Sequence, residues 1–278
     1  ARQFIEDLEL KGRRVLIRVD FNVPLDENQK ITDNARIEAA LPSIQRIINT
    51  GGKCILMSHL GRPKGKRVES MSLRPAAEEL SRILGTSVGM ASDCIGSEVE
   101  RLVDQLKAGE LLLLENLRYH EGETKNDPQF CEALARLGDV YINDAFGTAH
   151  RAHASTVGVA SLIQERGVGY LIRKELEFLG SAVLDPQKPF TAILGGAKVS
   201  DKIKVIEQLL EKVDSLIIGG GMANTFLKAQ GKEVGDSLLE EEALDFARGL
   251  LEEAKRRGVD VHLPVDVCTA PELSQDVE

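Results

Sequence analysis

Short apolar runs alternate with longer stretches of helical periodicity along this chain. Arg14–Val19 and Leu111–Leu117 are apolar-rich runs of strand length, which is typical of β-strands covered on both faces. Asp33–Thr50 carries apolar residues at helical spacing and stops at Gly51-Gly52, which predicts a helix. This alternation predicts an α/β fold with a parallel, doubly wound sheet. Further strands are predicted over Lys53–Ser58, Asp139–Phe146, Phe190–Leu194, Ser215–Ile218 and Val259–Val267, and further helices over Arg74–Leu84, Ser97–Lys107, Pro128–Leu137, Val199–Glu211, Met222–Gln230 and Leu239–Arg257.

The length of the chain and a break in its pattern predict two domains. A chain of 278 residues is long for one hydrophobic core. Gly167–Leu184 carries a wide apolar stripe at helical spacing, and after Pro186 and Pro189 the alternation of strand and helix starts again. We therefore expect an N-terminal domain over residues 1–167, a connecting interdomain helix over residues 168–184 and a second α/β domain over residues 185–278.

Composition argues against several classes of partner. The net charge is −9, there is no tryptophan and 4% of the residues are aromatic, so the chain lacks the basic field and the stacking rings that nucleic-acid binding needs. No run approaches the roughly 20 apolar residues of a membrane span, and we predict no membrane partner. The four cysteines have no paired spacing. This favours reduced thiols and a cytoplasmic protein.

Cationic side chains cluster in the segments that follow predicted strands. Arg62, Arg118 and Arg151 each follow such a strand, and Arg36 stands at the start of the first predicted helix. Ligands of open α/β sheets bind at the carboxyl ends of the strands, and arginines there form fork-shaped receptors for carboxylate and phosphate oxygens. Gly195–Lys202 supplies glycines and lysines at another strand-to-helix junction. Two anion sites in one chain indicate transfer of a charged group between two ligands.

Other interpretations stay open for several of these residues. Asp20 and Asn22 also suit a turn before a proline, and His59 also suits a buried structural histidine. Lys198 and Lys202 are four residues apart, so that a helix would place them on one face, but they also suit solvated surface lysines.

Metal, P-loop and dinucleotide motifs are missing or incomplete. The spacing of His150 and His153 suits a metal site, but no acidic or cysteine ligand set accompanies them, so we predict no metal ligand in this chain. No P-loop or protein-kinase signature occurs. An oxidoreductase that uses Gly219-Gly220-Gly221 as a dinucleotide turn is disfavoured, because Gly-x-Gly-x-x-Gly is not completed.

Six motifs in order resemble the phosphoglycerate kinase family, and the similarity runs through all 278 residues. They are RVDFNVP (Arg18–Pro24), SHLGRP (Ser58–Pro63), ENLRYH (Glu115–His120), NDAFG (Asn143–Gly147), HRAH (His150–His153) and GGAKVSDK (Gly195–Lys202). The resemblance implies two Rossmann-like domains around a cleft, which close about the connecting helix. It also implies that the second domain is truncated.

The resemblance also assigns roles to individual residues. It implies that Asp20 and Asn22 bind the hydroxyl of a three-carbon acid, that Arg118 and Arg151 hold its non-transferred phosphate, and that Arg36 reaches the migrating phosphoryl group. The catalytic residues would be Arg36 and Lys198. The implied acid-binding residues are Asp20, Phe21, Asn22, Arg36, His59, Leu60, Gly61, Arg62, Arg118 and Arg151, and the implied nucleotide-binding residues are Gly195, Gly196, Lys198, Lys202, Gly219 and Gly220.

The implied activity is reversible phosphoryl transfer from 1,3-bisphosphoglycerate to Mg-ADP, which gives 3-phosphoglycerate and ATP in glycolysis. The implied cofactor is Mg²⁺, whose protein ligand, together with a ribose-binding glutamate, is expected outside this chain. We therefore expect little or no turnover from this chain alone. The alternative is a truncated, non-catalytic 3-phosphoglycerate-binding fragment. A second chain carrying the missing portion is a possible partner, and the protein is otherwise expected to be a monomer.

Overall fold

Two parallel sheets organise the chain, of which the computed structural model describes residues 3–270. The chain divides into two units, Ala1–Phe178 and Leu179–Glu278. The first unit contains a six-stranded sheet and the second a three-stranded sheet, with parallel pairing throughout both. The α/β class and the parallel, Rossmann-like sheets predicted from the sequence are confirmed.

The first sheet is extended first on one side of its first strand and then on the other, so the order of strand addition reverses at that strand. The strands are β1 (Arg14–Arg18), β2 (Lys53–Met57), β3 (Val88–Met90), β4 (Leu111–Leu113), β5 (Val140–Asn143) and β6 (Glu165–Val168). Their order is β3-β4-β2-β1-β5-β6, so β1 lies between β2 and β5. The crevice at the carboxyl ends of strands flanking such a reversal is the usual ligand site of this architecture.

Apolar residues cover both faces of the central strands. Val15 and Ile17 of β1 are buried in one hydrophobic cluster, and Leu16 between them is buried in a second cluster. Successive side chains of a strand point to opposite faces, so a strand buried on both sides needs an unbroken apolar run. Arg18 continues on the face of Leu16 and is nevertheless fully buried.

Helices cover this sheet and lead into the second unit. They are α1 (Ala35–Asn49), α2 (Arg74–Leu84), α3 (Ser97–Gln105), α4 (Glu121–Lys125), α5 (Pro128–Ala135), α6 (Phe146–Ala149), α7 (Val159–Leu162) and α8 (Tyr170–Leu184). A π-helical turn over Ala154–Gly158 precedes α7. None of the helices in the described part of the chain has both the length and the apolar character needed to cross a membrane.

The second unit has its own core. Its strands are β7 (Thr191–Leu194), β8 (Ser215–Ile218) and β9 (Asp260–His262), and its helices are α9 (Ile203–Leu210), α10 (Gly221–Ala229) and α11 (Leu244–Arg257). The sheet order is β7-β8-β9. Leu216 of β8 and Phe226 of α10 are fully buried in one cluster with Leu250 of α11.

Several predicted boundaries were wrong for local reasons. The strand predicted to reach Leu117 ends at Leu113, because Asn116 accepts the amide hydrogen of Arg118 and starts a 3-10 turn. The strand predicted to reach Phe146 ends at Asn143, whose side chain accepts the amide hydrogen of Ala145. Strand β9 is much shorter than the predicted run. The edge strands β3 and β6 were not predicted, since neither is an apolar run.

Candidate functional site

A pocket of about 240 Å³ lies at the carboxyl ends of the strands around the reversal of the first sheet. It is built from segments that follow β1, β2, β4 and β5, together with the first turn of α1. Ten residues line it: Asp20, Asn22, Arg36, His59, Gly61, Arg62, Arg118, Gly147, Thr148 and Arg151. The structure thus brings together eight of the residues that the resemblance assigned to acid binding. Phe21 and Leu60 do not line the pocket but are buried.

The segment after β1 is anchored by Phe21. Its side chain is fully buried, and its amide hydrogen is donated to Ser58 Oγ at 2.8 Å. Asp20 Oδ1 accepts the amide hydrogen of Asn22 at 3.2 Å, which closes a tight local turn. The turn-capping interpretation is therefore correct for Asp20, whereas Asn22 Oδ1 accepts the amide hydrogen of Gly61. Neither role excludes ligand binding, because both side chains also line the pocket.

The segment after β2 depends on a glycine. Gly61 has a left-handed backbone with φ of +62°, and a Cβ atom there would lie 2.9 Å from Met71 Sδ. Its amide hydrogen is donated to Asn22 Oδ1, and its carbonyl oxygen accepts from Arg118 Nη1, both at 2.8 Å. The left-handed backbone favours glycine, and a Cβ atom would require the Met71 side chain to shift. Gly61 therefore holds the segments after β1, β2 and β4 in register.

Asn116 fastens the segment after β2 and was not predicted as a site residue. Its Oδ1 accepts the amide hydrogens of Leu60 at 3.2 Å and Arg118 at 3.1 Å. Its Nδ2 donates to the carbonyl oxygens of Leu60 at 2.7 Å and Met71 at 2.8 Å. A fully buried amide with all these bonds is a rigid support. Its place inside the motif ENLRYH was the available signal.

The pocket carries an excess of positive charge. Arg36 forms an ion pair with Asp20. Within residues 3–270, no carboxylate lies at ion-pair distance from Arg62 or Arg151. Arg118 is 8% exposed, and its Nε is buried without a hydrogen-bond partner in the same part of the chain. Burial, followed by the positive charges of Arg151 and Arg18, lowers the pKa of Arg118. Such a cluster is stabilised by a bound anion.

His59 contributes a neutral imidazole to this cationic pocket. Burial is the main cause that lowers the pKa of His59 to about 2, and Arg18, Arg118 and Arg151 add to the effect. Its Nδ1 lies 2.9 Å from Arg18 Nη2 and 4.0 Å from Asp20 Oδ1. His59 is therefore uncharged at neutral pH, so it can act on a ligand as a hydrogen-bonding group but not as a cation.

A buried polar network behind the pocket was missed by the sequence analysis. Arg18 Nε donates to Ser155 Oγ at 2.9 Å, and Ser155 Oγ donates to Glu123 Oε1 at 2.6 Å. All three residues are fully buried. One sequence signal was available: an arginine inside an otherwise apolar strand must find partners, because an unpaired buried charge is very costly.

The glycine turns predicted for the nucleotide lie side by side in the second unit. Gly195 and Gly196 follow β7, and Gly219 and Gly220 follow β8. Gly220 has φ of +66°, and a Cβ atom on it would lie 3.1 Å from the backbone nitrogen of Gly196. Met222 donates its amide hydrogen to the Gly196 carbonyl oxygen at 2.8 Å. Gly196 has φ of +144°, so the backbone at both Gly196 and Gly220 favours glycine, and without side chains there it is accessible to a flat or anionic ligand.

The two lysines do not share a helical face as predicted. Lys198 precedes a 3-10 turn over Ser200–Lys202, and α9 begins only at Ile203. Glu240 Oε2 accepts the amide hydrogens of Val199 at 2.8 Å and Ser200 at 3.0 Å, which caps the start of this 3-10 turn. Hydrogen bonds from Ser200, first from its hydroxyl, lower the pKa of Glu240. Neither Lys198 nor Lys202 has an ion-pair partner among the described residues.

Asp93, Cys94 and His120 form the one group of three potential metal ligands found within the described chain. Asp93 Oδ1 and His120 Nε2 are 2.7 Å apart, a hydrogen-bond distance. Two such atoms around a tetrahedral zinc ion would be separated by roughly 3.3 Å, given metal–ligand distances of about 2.0–2.1 Å. Burial raises the pKa of the Cys94 thiol well above its usual range, which keeps the thiol protonated. The group is therefore a hydrogen-bonded pair beside a buried thiol.

Comparison with known proteins adds a family to this geometry. Residues 5–278 match a family model described as phosphoglycerate kinase. A curated phosphoglycerate kinase from Chlorobium limicola is 55% identical over 277 residues, which is 100% of this chain and 70% of that protein. One from Anaeromyxobacter is 58% identical over 273 residues, covering 97% of this chain and 69% of the relative.

Solved structures show the same similarity. The structure of phosphoglycerate kinase from Coxiella burnetii matches with a TM-score of 0.85 and 43% identity, over 100% of this chain and 70% of that chain. Phosphoglycerate kinase from Pyrococcus horikoshii matches with a TM-score of 0.75 and 33% identity, over 92% of this chain and 66% of that one.

Proposed function

The chain belongs to the phosphoglycerate kinase family, and we propose that it takes part in reversible phosphoryl transfer between 1,3-bisphosphoglycerate and Mg-ADP. The reaction yields 3-phosphoglycerate and ATP, so the phosphoryl acceptor in the reverse direction is a carboxyl group. The names of the relatives support this reaction. The geometry of each unit supports our assignment of the acid to the first unit and of the nucleotide to the second.

One observation carries the assignment of the acid to the first unit. Arg62 and Arg151 have no acidic partner among the described residues, and both line the same pocket as the partly unsatisfied Arg118. A phosphate group supplies the negative charge that this cluster lacks. Each charge-assisted hydrogen bond of this kind contributes about 1.5–3 kcal/mol. We assign the non-transferred phosphate of the acid to these three arginines.

Other residues of the pocket suit the smaller polar groups of the acid. Asp20 and Asn22 present short side chains that can bind a hydroxyl, and His59 is a neutral hydrogen-bonding group beside them. Arg36 is about half exposed and already paired with Asp20, so it can turn toward a passing phosphoryl group without a large loss of solvation. We assign the hydroxyl to Asp20 and Asn22 and the migrating phosphoryl group to Arg36.

The second unit suits the nucleotide. We place the phosphates beside Gly195, Gly196, Lys198 and Lys202, where two unpaired lysines flank open backbone, and the adenine against Gly219 and Gly220. Mg²⁺ enters with the nucleotide as part of the substrate. Phosphoryl transfer depends mainly on in-line positioning and on neutralisation of spread negative charge. We therefore infer that Arg36 and Lys198 supply the catalytic charge and that no side chain is phosphorylated.

Binding and turnover are measured separately to test this function. Titration calorimetry with 3-phosphoglycerate should show binding in the absence of nucleotide, because all its proposed contacts lie in the first unit. A coupled assay with ATP and 3-phosphoglycerate tests turnover. Binding without turnover would favour the alternative, a non-catalytic 3-phosphoglycerate-binding protein. The absence of both binding and turnover would contradict the proposed function.

The proposed role of Arg36 has a kinetic test. Replacement by alanine removes charge that acts mainly in the transition state, so kcat should fall strongly while the Michaelis constants change less. A normal kcat with a raised KM would instead make Arg36 a ground-state binding residue.

We also propose a cytoplasmic location and a monomeric state. The proposed division of the chain is into residues 1–167, 168–184 and 185–278.

A further inference from the structure

Arg18 is an arginine of the site region whose three side-chain nitrogens each have a partner within the protein. Its side chain is fully buried on the last residue of β1. Nε donates to Ser155 Oγ at 2.9 Å, Nη1 donates to the carbonyl oxygen of Val19, and Nη2 lies 2.9 Å from His59 Nδ1. Arg18 does not line the pocket, in contrast to the four arginines that do.

The far side of this arginine is fixed by a buried acid. Both carboxylate oxygens of Glu123 are used by Ser155, whose hydroxyl donates at 2.6 Å and whose amide donates at 3.0 Å. Ser155 lies in the π-helical turn over Ala154–Gly158, a type of turn that is often retained where it aims a side chain. Glu123 also provides the leading opposite charge for the buried guanidinium of Arg18. The three residues therefore form one rigid unit.

The bond between Arg18 and His59 determines the hydrogen on the imidazole. A guanidinium has donors and no acceptor, so His59 Nδ1 must accept and cannot carry a hydrogen. In the neutral ring the hydrogen is then on Nε2. No hydrogen-bond partner for Nε2 is found among the described residues, and His59 lines the pocket.

We propose that Arg18 is a positioning residue, which Ser155 and Glu123 hold in place so that His59 stays neutral and offers its Nε2 hydrogen to an oxygen of the bound acid. This inference rests on the proposed function for the identity of the ligand. It assigns Arg18 a role through His59 and no contact with the substrate. It also explains how a pocket rich in arginine holds an uncharged imidazole.

Five charged groups face His59 and set its protonation. Arg18 comes from β1, Asp20 from the segment after it, Arg36 from α1, Arg118 from the turn after β4 and Arg151 from the segment after α6. Four of the five are cations, so Arg18 is not the sole reason that His59 remains neutral. Its removal takes away both a nearby charge and the donor that occupies Nδ1.

The first experiment follows the imidazole directly, in the ligand-free protein. The chain has five histidines, so ¹⁵N and ¹H signals of the rings can be assigned by replacing them one at a time. In the parent, His59 should show a single neutral form with hydrogen on Nε2 and no titration from about pH 8 to about pH 5.5. In Arg18→Met combined with Glu123→Gln, which removes both buried charges together, His59 should begin to titrate in this range.

The second experiment measures binding of 3-phosphoglycerate to the same proteins. The dissociation constant of the double variant should exceed that of the parent by about 10-fold near pH 8, where His59 is neutral but no longer fixed. The ratio should shrink toward unity near about pH 5.5, because a protonated His59 becomes an additional cation for the acid. Taking the ratio to the parent cancels the titration of the ligand itself.

Arg14→Met is the matched control. Arg14 is on the same strand but at its amino end, where it pairs with Asp139 at 2.7 Å, and it should leave both the His59 signals and the binding ratio unchanged. If the double variant does not fold, Ser155→Ala removes the central hydroxyl while keeping both charges, and it should shift the results in the same direction.

The outcomes separate this inference from the proposed function. A parent that does not bind 3-phosphoglycerate contradicts the proposed function, while the imidazole signals still decide the role of Arg18. The positioning role is overturned if His59 titrates neither in the double variant nor in Ser155→Ala. It is also overturned if the ratio of dissociation constants is constant with pH. A constant loss of affinity is what a merely structural role of Arg18 would produce.

Discussion

Asn22 and Gly61 are 39 residues apart in the chain, and the Oδ1 atom of Asn22 accepts the amide hydrogen of Gly61 at 2.8 Å. This one hydrogen bond joins the segment after β1 to the segment after β2. Because Asn22 also lines the pocket, the side chain that is proposed to meet the ligand hydroxyl is fixed by the backbone that carries Arg62. The pocket is therefore organised before a ligand arrives.

Gly61→Ala should destabilise the first unit and weaken 3-phosphoglycerate binding. The left-handed backbone costs a residue with a Cβ atom about 1–2 kcal/mol, and the atom would also lie 2.9 Å from Met71 Sδ. Urea unfolding followed by tyrosine fluorescence reports this unit alone, since Tyr119, Tyr141 and Tyr170 all belong to it.

Gly85→Ala separates the cost of the left-handed backbone from the cost of the close contact with Met71. Gly85 has φ of +65°, close to the +62° of Gly61, but no atom lies within 4 Å of the position that a Cβ atom would take there. It should show the backbone cost and unchanged binding. Equal loss of stability in both variants, with normal binding by Gly61→Ala, would contradict the proposed role of the close approach.

Arg62→Ala and Arg151→Ala should each raise the dissociation constant of 3-phosphoglycerate by about 10-fold or more, because each removes a charge-assisted contact with the phosphate. Neither arginine has an acidic partner among the described residues, so stability should change little. Titration calorimetry measures the binding. Arg101→Ala, on the exposed surface of α3, is the control. Unchanged affinity in both site variants would contradict the phosphate assignment.

The central strands and most helices could be predicted from the sequence because burial on both faces leaves a strong pattern. Helix α2 was predicted with the bounds it has, Arg74–Leu84, between a proline near its start and the left-handed Gly85 at its end. The edge strand Val88–Met90 could not be predicted, since it gains its stability from hydrogen bonds to β4 and has little apolar surface to bury.

The pocket-lining residues were assigned from motifs, whereas their supports were not. Arg18 and Ser155 are 137 residues apart, and Ser155 and Glu123 are 32 residues apart. No local pattern joins residues at such separations, because only the folded chain brings them into contact. The four-residue spacing of Lys198 and Lys202 gave no shared helical face, because a 3-10 turn covers Ser200–Lys202 and α9 begins only at Ile203.

The first unit should lose stability as the pH falls below about 6.5, the usual pKa of histidine in an unfolded chain. His59 in the folded protein has a pKa of about 2, so between these values the unfolded chain binds a proton that the folded chain does not. One such group contributes a slope of up to about 1.4 kcal/mol per pH unit. Burial also lowers the pKa of His153, which adds in the same direction.

Urea unfolding at a series of pH values measures this slope. His59→Gln should make it shallower, because glutamine takes up no proton in either state. A slope that is identical in the parent and in His59→Gln would show that His59 is not the group responsible.

Lys198→Met and Lys202→Met should each weaken ADP binding by about 10-fold while leaving the affinity for 3-phosphoglycerate unchanged, because each removes one cation from the phosphates. Titration with each ligand separately measures both effects. Lys204→Met changes an exposed lysine of α9 that follows directly and should alter neither affinity. A loss of ADP affinity in Lys204→Met equal to that in the other two would indicate a diffuse charge effect without a defined phosphate site.

Gly147→Ala should weaken 3-phosphoglycerate binding without lowering stability, whereas Gly61→Ala should lower both. Gly147 lies within the short helix α6, where alanine is favoured over glycine by up to about 1 kcal/mol. Its Cβ atom would lie 3.1 Å from Asp20 Oδ2, the oxygen paired with Arg36, and would narrow the pocket there. We expect unfolding by urea to show equal or greater stability, and calorimetry to show weaker binding of 3-phosphoglycerate. If the variant instead binds normally, the ligand does not occupy the space between Gly147 and Asp20, and the assignment of the hydroxyl to Asp20 is wrong.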